Sequence, residues 1–212
     1  YYGWQNTSFG NVFIFGSELK AIKSFPELNL AIDRGSLSLF LSHAYVPCPH
    51  SIYEDIFSLE PGEILEVSID DKTSKSKKYW DVSEVIKNNT VNKFNVTSGD
   101  AVKKLESLIT SSVKRQMISD VPLGAFLSGG IDSSTIVSLM QSQSSKPIKT
   151  FTIGFNEKGF DEAKYAKSIA KHLGTDHTEL YVDADSAMKV IPDMHSIYCE
   201  PFADPAQIPN YI

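Results

Sequence analysis

The chain is poor in the residues that build disulfide frameworks and metal sites: it has two cysteines and five histidines in 212 residues. The histidines are scattered, and Cys48 and Cys199 show no metal-ligand spacing, so a zinc site is not expected and no disulfide is required. Cys48 lies between prolines in Val46-Pro47-Cys48-Pro49, a loop composition. A basic excess is also missing. Twenty Lys and Arg against 26 Asp and Glu give a net charge of −6, which argues against a nucleic-acid-binding surface. No apolar run is long enough to span a bilayer, and no basic leader with an apolar core opens the chain, so the expectation is a soluble, cytoplasmic protein. Three Asn-x-Ser/Thr triplets, at Asn6, Asn88 and Asn95, are read as chance matches in the absence of a secretory signal.

What the chain does have is concentrated in Ser128-Gly129-Gly130-Ile131-Asp132-Ser133-Ser134. The apolar run Ala125-Phe126-Leu127 precedes it and an amphipathic helical pattern follows, the context in which phosphates bind. Two glycines allow a sharp turn and close approach to a ligand, while serine hydroxyls and unpaired N–H groups at a helix start attract an anion. Asp132 is repelled by phosphate unless a divalent cation lies between them, so it reads as a Mg²⁺ contact; the plainer reading is a helix N-cap. The stretch lacks the Gly-Lys-Ser/Thr ending of a Walker loop and the G-x-G-x-x-G spacing of a dinucleotide site. It resembles the SGGxDS pyrophosphate loop of the ATP-pyrophosphatase superfamily, whose members activate an oxygen by adenylation and release pyrophosphate.

Around this loop the chain changes rhythm. In the first part, Asn11–Phe15 is a short apolar run. Ser17–Ile22 reads as a helical turn with a serine cap, and a helix is expected from Gly35 or Ser36 to Leu41. Ile64, Val67 and Ile69 followed by Lys77–Trp80 suggest a hairpin. Residues 83–99, rich in Asn, Lys and Thr with little periodicity, are expected to be a linker. Beyond it, Val102, Leu105, Ile109 and Val113 fall at helical spacing, with Ser98 or Asp100 as cap. Strands are expected at 125–127, 150–155 and 177–182, and helices at 133–143 and 162–173, the second stopped by Gly174. Strands separated by helices of this length imply right-handed crossovers and a parallel sheet covered on both faces, with ligands at the carboxyl ends of the strands.

Nearly the whole chain resembles the glutamine-hydrolysing asparagine synthetase family. The resemblance is carried by Ser119–Leu127 leading into the loop, Thr150–Phe155, Leu173–His177 and Glu200-Pro201-Phe202-Ala203-Asp204. Upstream it is carried by Gly16–Ala21 and Tyr45–Pro49 through to Pro61-Gly62. It implies an α/β fold of adenine-nucleotide α-hydrolase-like (ATP-pyrophosphatase) type, preceded by the tail of an α+β Ntn-type glutaminase domain. The expected division is residues 1–82 as the end of the glutaminase-like domain, 83–99 as linker and 100–212 as the start of the synthetase domain, an internal fragment of a longer protein. The family's nucleophile is an amino-terminal cysteine. Tyr1 cannot fill that role, so no glutaminase activity is expected of the chain itself.

The resemblance implies ATP-dependent adenylation of a carboxylate, aspartate by default, and its amidation by glutamine-derived ammonia. ATP and Mg are the implied cofactors, with no nucleic acid or membrane partner; a homodimer is compatible. Ser128, Gly129, Gly130, Ser133 and Ser134 would hold the pyrophosphate, Asp132 the Mg²⁺, and Leu127 and Ile153 the adenine, against the bland reading of the last two as sheet core. No catalytic side chain is assigned. His177 is expected to be structural, and Glu200 and Asp204 to belong to a solvated or capping loop. Two alternatives stay open: an amidotransferase acting on a sugar acid or β-lactam precursor, and a catalytically silent nucleotide-binding domain.

Overall fold

The structure is a computed structural model that describes residues 1–91, 95–155 and 162–212. Along the chain run β1 (Tyr2–Thr7), β2 (Gly10–Phe15), α1 (Leu19–Lys23), α2 (Arg34–His43), β3 (Glu63–Ser68), β4 (Thr73–Lys78), α3 (Val82–Val91) and α4 (Ser98–Gln116). Then follow β5 (Gly124–Phe126), α5 (Ile131–Ser142), β6 (Lys149–Phe155), α6 (Ala163–Leu173), β7 (Asp176–Val182) and α7 (Ala184–Val190). A 3₁₀ turn at Ile191–Asp193, α8 (Met194–Ile197) and α9 (Gln207–Tyr211) close the chain. These elements form two compact units, Tyr1–Lys93 with Val190–Tyr211, and Phe94–Lys189 with Ile212.

The first unit is built from two antiparallel hairpins and short helices. β1 and β2 pair from Tyr2↔Phe15 to Thr7↔Gly10, and β3 and β4 from Glu63↔Lys78 to Ser68↔Thr73. Leu19 and Ile22 on α1, both fully buried, join Ile14, Val46, Ile52 and Ile56 in one core. Each such side chain contributes about 1.5–3 kcal/mol by leaving water. Asp33 starts α2 by accepting from the N–H groups of Gly35 (2.7 Å) and Ser36 (3.3 Å), which holds its carboxyl below the usual range. Ala44, at φ 66°, ends the helix.

Several expectations are corrected here. α1 is preceded by Glu18 with no side-chain cap, so Ser17 does not fill that role. α4 is capped by Thr97, whose hydroxyl accepts from the N–H of Asp100 at 3.2 Å; neither Ser98 nor Asp100 is the cap. The stretch read as linker holds α3 and the start of α4, with residues 92–94 outside the described set. α3 buries no residue; it stands on local bonds such as Asn89 Nδ2 to the Val85 carbonyl (2.8 Å), which hydrophobic periodicity cannot reveal. By contact, residues 190–211 group with the first unit, while the expected domain division stays an expectation.

In the second unit β5, β6 and β7 form a parallel sheet in that order, with Ala125, Thr150 and His177 in register. Because consecutive strands are neighbours, right-handed crossovers carry α5 and α6 to the same side of the sheet. On that side Thr150, Thr152 and Gly154 are buried, and Leu127 packs with Val137, Ala166 and Ala170. On the other, Phe126 is 66% exposed, and Phe151 and Leu180 are also exposed. The expectation of a sheet covered on both faces is therefore wrong for the described residues: cover on the second face requires the strand order to reverse, and it does not.

Candidate functional site

The glycine–serine loop leaves the carboxyl end of β5 and enters α5 at its first residue, Ile131. Gly129 has φ 83°, a conformation that costs other residues about 1–2 kcal/mol. It also lies against α6: a Cβ there would be 2.7 Å from Tyr165 Cβ and 2.9 Å from the N of Ala166. The loop is held by its own hydroxyls. Ser133 Oγ accepts from the N–H of Ser128 (3.3 Å) and lies 3.1 Å from Ser128 Oγ, which in turn accepts from the N–H of Gly130 (3.3 Å). Ser134 Oγ donates to the Gly130 carbonyl at 2.6 Å. The N–H groups of Ile131, Asp132 and Ser133 form the first turn of α5 and have no acceptor within the helix, leaving partial positive charge at the loop's mouth.

Gly130, not Asp132, occupies the cap position, and no side chain caps the helix. Asp132 sits exposed in the first turn, its carboxylate unused by its own helix. Among the described residues no group of three or more His, Cys, Asp or Glu is placed to hold a metal. A cation here would rest on this one carboxylate and on phosphate oxygens, an arrangement ordinary for Mg²⁺.

The two residues assigned to adenine are placed differently from one another. Leu127 is 1% exposed in the core on the helix side. Its N–H donates to the Phe151 carbonyl at 2.9 Å and its carbonyl accepts from the Thr152 hydroxyl. Ile153 pairs with Leu180 and points to the opposite face, because side chains alternate along a strand. The structure thus gathers Ser128–Ser134 into one site but does not bring the Leu127 and Ile153 side chains together. Thr152, which lies in the Thr150–Phe155 segment but is given no role of its own, fastens the loop's leading residue to β6; a further signal is the small polar spacing Thr150, Thr152, Gly154 on one face of the strand. The Lys167–Glu179 ion pair (2.8 Å) ties α6, the helix behind Gly129, to β7, and holds the Glu179 carboxyl below its usual range.

His177 Nδ1 lies 2.9 Å from the Thr150 hydroxyl, towards the amino end of β7 and level with Ala125 rather than with the loop. Asp204 accepts from the N–H of Ala206 at 2.8 Å in a local turn. Glu200 is not in a solvated loop. It is half-buried in the first unit, accepting from Tyr1 Oη (2.9 Å) and from the N–H of Ile52 (2.8 Å). Burial raises its carboxyl above the ordinary value, and the two donors pull it partly back. The partners lie 199 and 148 positions away, so nothing in the local sequence announces them.

Two family descriptions match the chain: residues 104–212 match "Asparagine synthase" and residues 1–80 match "Glutamine amidotransferase domain". The chain is 34% identical over its whole length to "Putative asparagine synthetase [glutamine-hydrolyzing] 2" of Methanocaldococcus jannaschii, of which it covers 39%. It is 32% identical over 97% of its length to "Asparagine synthetase [glutamine-hydrolyzing] 1" of Bacillus subtilis, of which it covers 31%. The chain thus spans well under half the length of these relatives.

Proposed function

The chain belongs to the asparagine synthase family, and from that premise we propose that the protein containing it is an ATP-dependent carbon–nitrogen ligase that amidates aspartate with nitrogen from glutamine. One observation carries this reading most directly. A glycine–serine loop at the carboxyl end of a parallel strand presents unpaired N–H groups and a carboxylate that its own helix leaves unused.

In the proposed reaction the aspartate β-carboxylate attacks the α-phosphorus of ATP. The bond to the bridging oxygen breaks, pyrophosphate leaves, and an acyl-adenylate remains. Ammonia then attacks the acyl carbon, AMP departs with the electron pair of the acyl–oxygen bond, and the nitrogen loses a proton. The first-turn N–H groups of Ile131, Asp132 and Ser133, with the hydroxyls of Ser128, Ser133 and Ser134, hold the departing pyrophosphate and offset its growing charge. Asp132 would hold a magnesium ion, which would supply further neutralisation of the phosphate oxygens. Gly129 lets the backbone come close enough for these contacts. The main chain around Leu127 and Ile153 borders the adenine.

The test is calorimetric titration of this chain with ATP and with pyrophosphate, with and without Mg²⁺. It is paired with release of AMP and pyrophosphate by the whole protein in the presence of aspartate and glutamine. Metal-dependent binding with aspartate-dependent AMP formation is expected; hydrolysis of ATP to ADP and phosphate would overturn the reading.

A further inference from the structure

The face of α6 that meets the sheet is made of small side chains. The three residues that the helix buries are all alanine, Ala163, Ala166 and Ala170, and β6 meets that side with Thr150, Thr152 and Gly154. Small residues let a helix come close, but they offer no large side chain to lock it along its axis. Ile169 and Leu173 pack against the cluster of Leu127 and Val137 and serve the far half of the helix. The half nearest the loop buries alanines alone. Gly129 touches this half, since a Cβ built there would stand 2.7 Å from Tyr165 Cβ and 2.9 Å from the N of Ala166. A slip of α6 by the rise of one residue, about 1.5 Å, would press into the loop or leave it unsupported.

What holds this half is polar. Lys167, next in sequence to Ala166, places Nζ 2.8 Å from Oε1 of Glu179 on β7. The other carboxylate oxygen, Oε2, accepts from the Tyr181 hydroxyl at 3.2 Å. Tyr181 is itself seated: a Cβ at Gly154 would fall 2.6 Å from its Cε1 and 2.8 Å from its Cδ1, so the ring lies on the β6 backbone. The Glu179 side chain is thus aimed by donors from two elements, and it is 17% exposed where that of Lys167 is 69% exposed. Lys167 above all, with Tyr181, holds its carboxyl below the usual range. An ion pair with one end in solvent adds little to folding. Its effect is geometric, because a short charge-assisted bond from a fixed acceptor to a residue of α6 selects one axial position of the helix.

We propose that Glu179 is a positioning residue for the glycine–serine loop: through Lys167 it fixes the near half of α6, and α6 in turn fixes Gly129 and the N–H groups beside it. The effect on the loop follows from these contacts alone, and its consequence for a ligand rests on the reading of the loop as a pyrophosphate site. Both residues act through α6 and neither is catalytic.

Glu179→Gln and Lys167→Met break the pair from its two ends and leave the alanine face intact. In the ligand-free chain the amide resonances of Gly129, Gly130 and Ile131 should move in the same direction in both variants. The double variant should shift them no further than either single one, the signature of one shared contact. Lys171→Met removes a charge of α6 that belongs to none of the ion pairs among the described residues, and it should leave these resonances in place. Pyrophosphate is then titrated in the presence of Mg²⁺. Its dissociation constant should rise about two- to fivefold in both variants, with the urea midpoint close to that of wild type. Unmoved loop resonances, additive shifts in the double variant, or unchanged affinity in variants of a wild type that binds would overturn the proposal. A wild type that does not bind pyrophosphate, with loop resonances that still respond as a pair, would count against the pyrophosphate site and uphold the positioning by Glu179.

Discussion

The glycine–serine loop and the Glu200 cluster are both polar centres set against an apolar core, and they are built in opposite ways. The loop is made of consecutive residues whose hydrogen bonds reach no further than five positions. Its hydroxyls satisfy its own backbone and its free N–H groups face outward. The Glu200 cluster joins three distant segments, with its acceptor half-buried and its donors contributed by Tyr1 and Ile52. The local centre forms its hydrogen bonds within one stretch of chain and is backed by the buried Leu127 and by the close approach of α6 to Gly129. A non-local one exists only after long loops have closed, and it loses its satisfaction when any one segment detaches.

The sharpest way to break the contrast is to strain the local centre. Gly129→Ala forces a side chain into a left-handed conformation and into contact with Tyr165 and Ala166. A loss of about 2–4 kcal/mol is expected in urea unfolding, with loss of nucleotide binding. Gly174, at φ 72° and with open space where a Cβ would stand, is the control. Gly174→Ala should cost about 1 kcal/mol, and equal losses at the two positions would remove the close approach of α6 from the account.

Next in size is the non-local centre. Glu200→Ala leaves the Ile52 N–H and Tyr1 hydroxyl without their acceptor and should cost about 1–2 kcal/mol, read from hydrogen exchange across residues 52–57 and 194–203. The pH dependence has a definite sign. With the folded carboxyl raised above the ordinary 4.5, the group binds more protons folded than unfolded. Its favourable contribution is present below 4.5 and is lost as pH rises through the elevated folded value. Glu200→Gln should therefore flatten the decline of stability between mildly acidic and neutral pH. An unchanged slope would show that the carboxyl titrates normally.

A smaller effect is expected where the two kinds of contact meet. Thr152→Val removes the hydroxyl that donates to the Leu127 carbonyl while keeping the strand's shape, at about 1 kcal/mol. Nucleotide affinity should fall with it if β6 positions the loop; stability falling without affinity would confine Thr152 to packing. The least effect on folding belongs to Asp132→Asn, within about 0.5 kcal/mol, because the carboxylate makes no bond to its helix. Mg²⁺-dependent binding of ATP should nevertheless weaken by about tenfold or more. Metal-dependent binding equal to wild type would remove Asp132 from the site.

Legibility in the sequence follows the range of the interactions. Gly174 ends α6 in the left-handed conformation expected of it, and β5, α5, β6, α6 and β7 lie within two residues of their expected positions, whereas α7 is not among the expected elements. In each of these cases the deciding chemistry is carried by neighbouring residues. The apolar run of β2 is legible but its hairpin partner β1 is not, since Tyr2, Gly3 and Trp4 carry no plain alternation of apolar and polar residues. α3 is illegible for the opposite reason: it forms without a buried face.

The composition of residues 128–134, between an apolar strand and an amphipathic helix, is enough by itself to point to a turn that gathers hydroxyls and N–H groups, because the hydrogen bonds within the loop are short in sequence. Whether Asp132 caps that helix or leaves its carboxylate free was not in the composition, since aspartate suits both roles. Placing Gly130 at the cap decided it. The side of the sheet on which Leu127 and Ile153 fall, the open face of Phe126 and Phe151, and the return of residues 190–211 to the first unit were decided by tertiary structure as well. So was the meeting of Glu200 with Tyr1 and Ile52. Each depends on which distant surfaces close on one another, and that free energy is shared among many residues and written in no single stretch of chain.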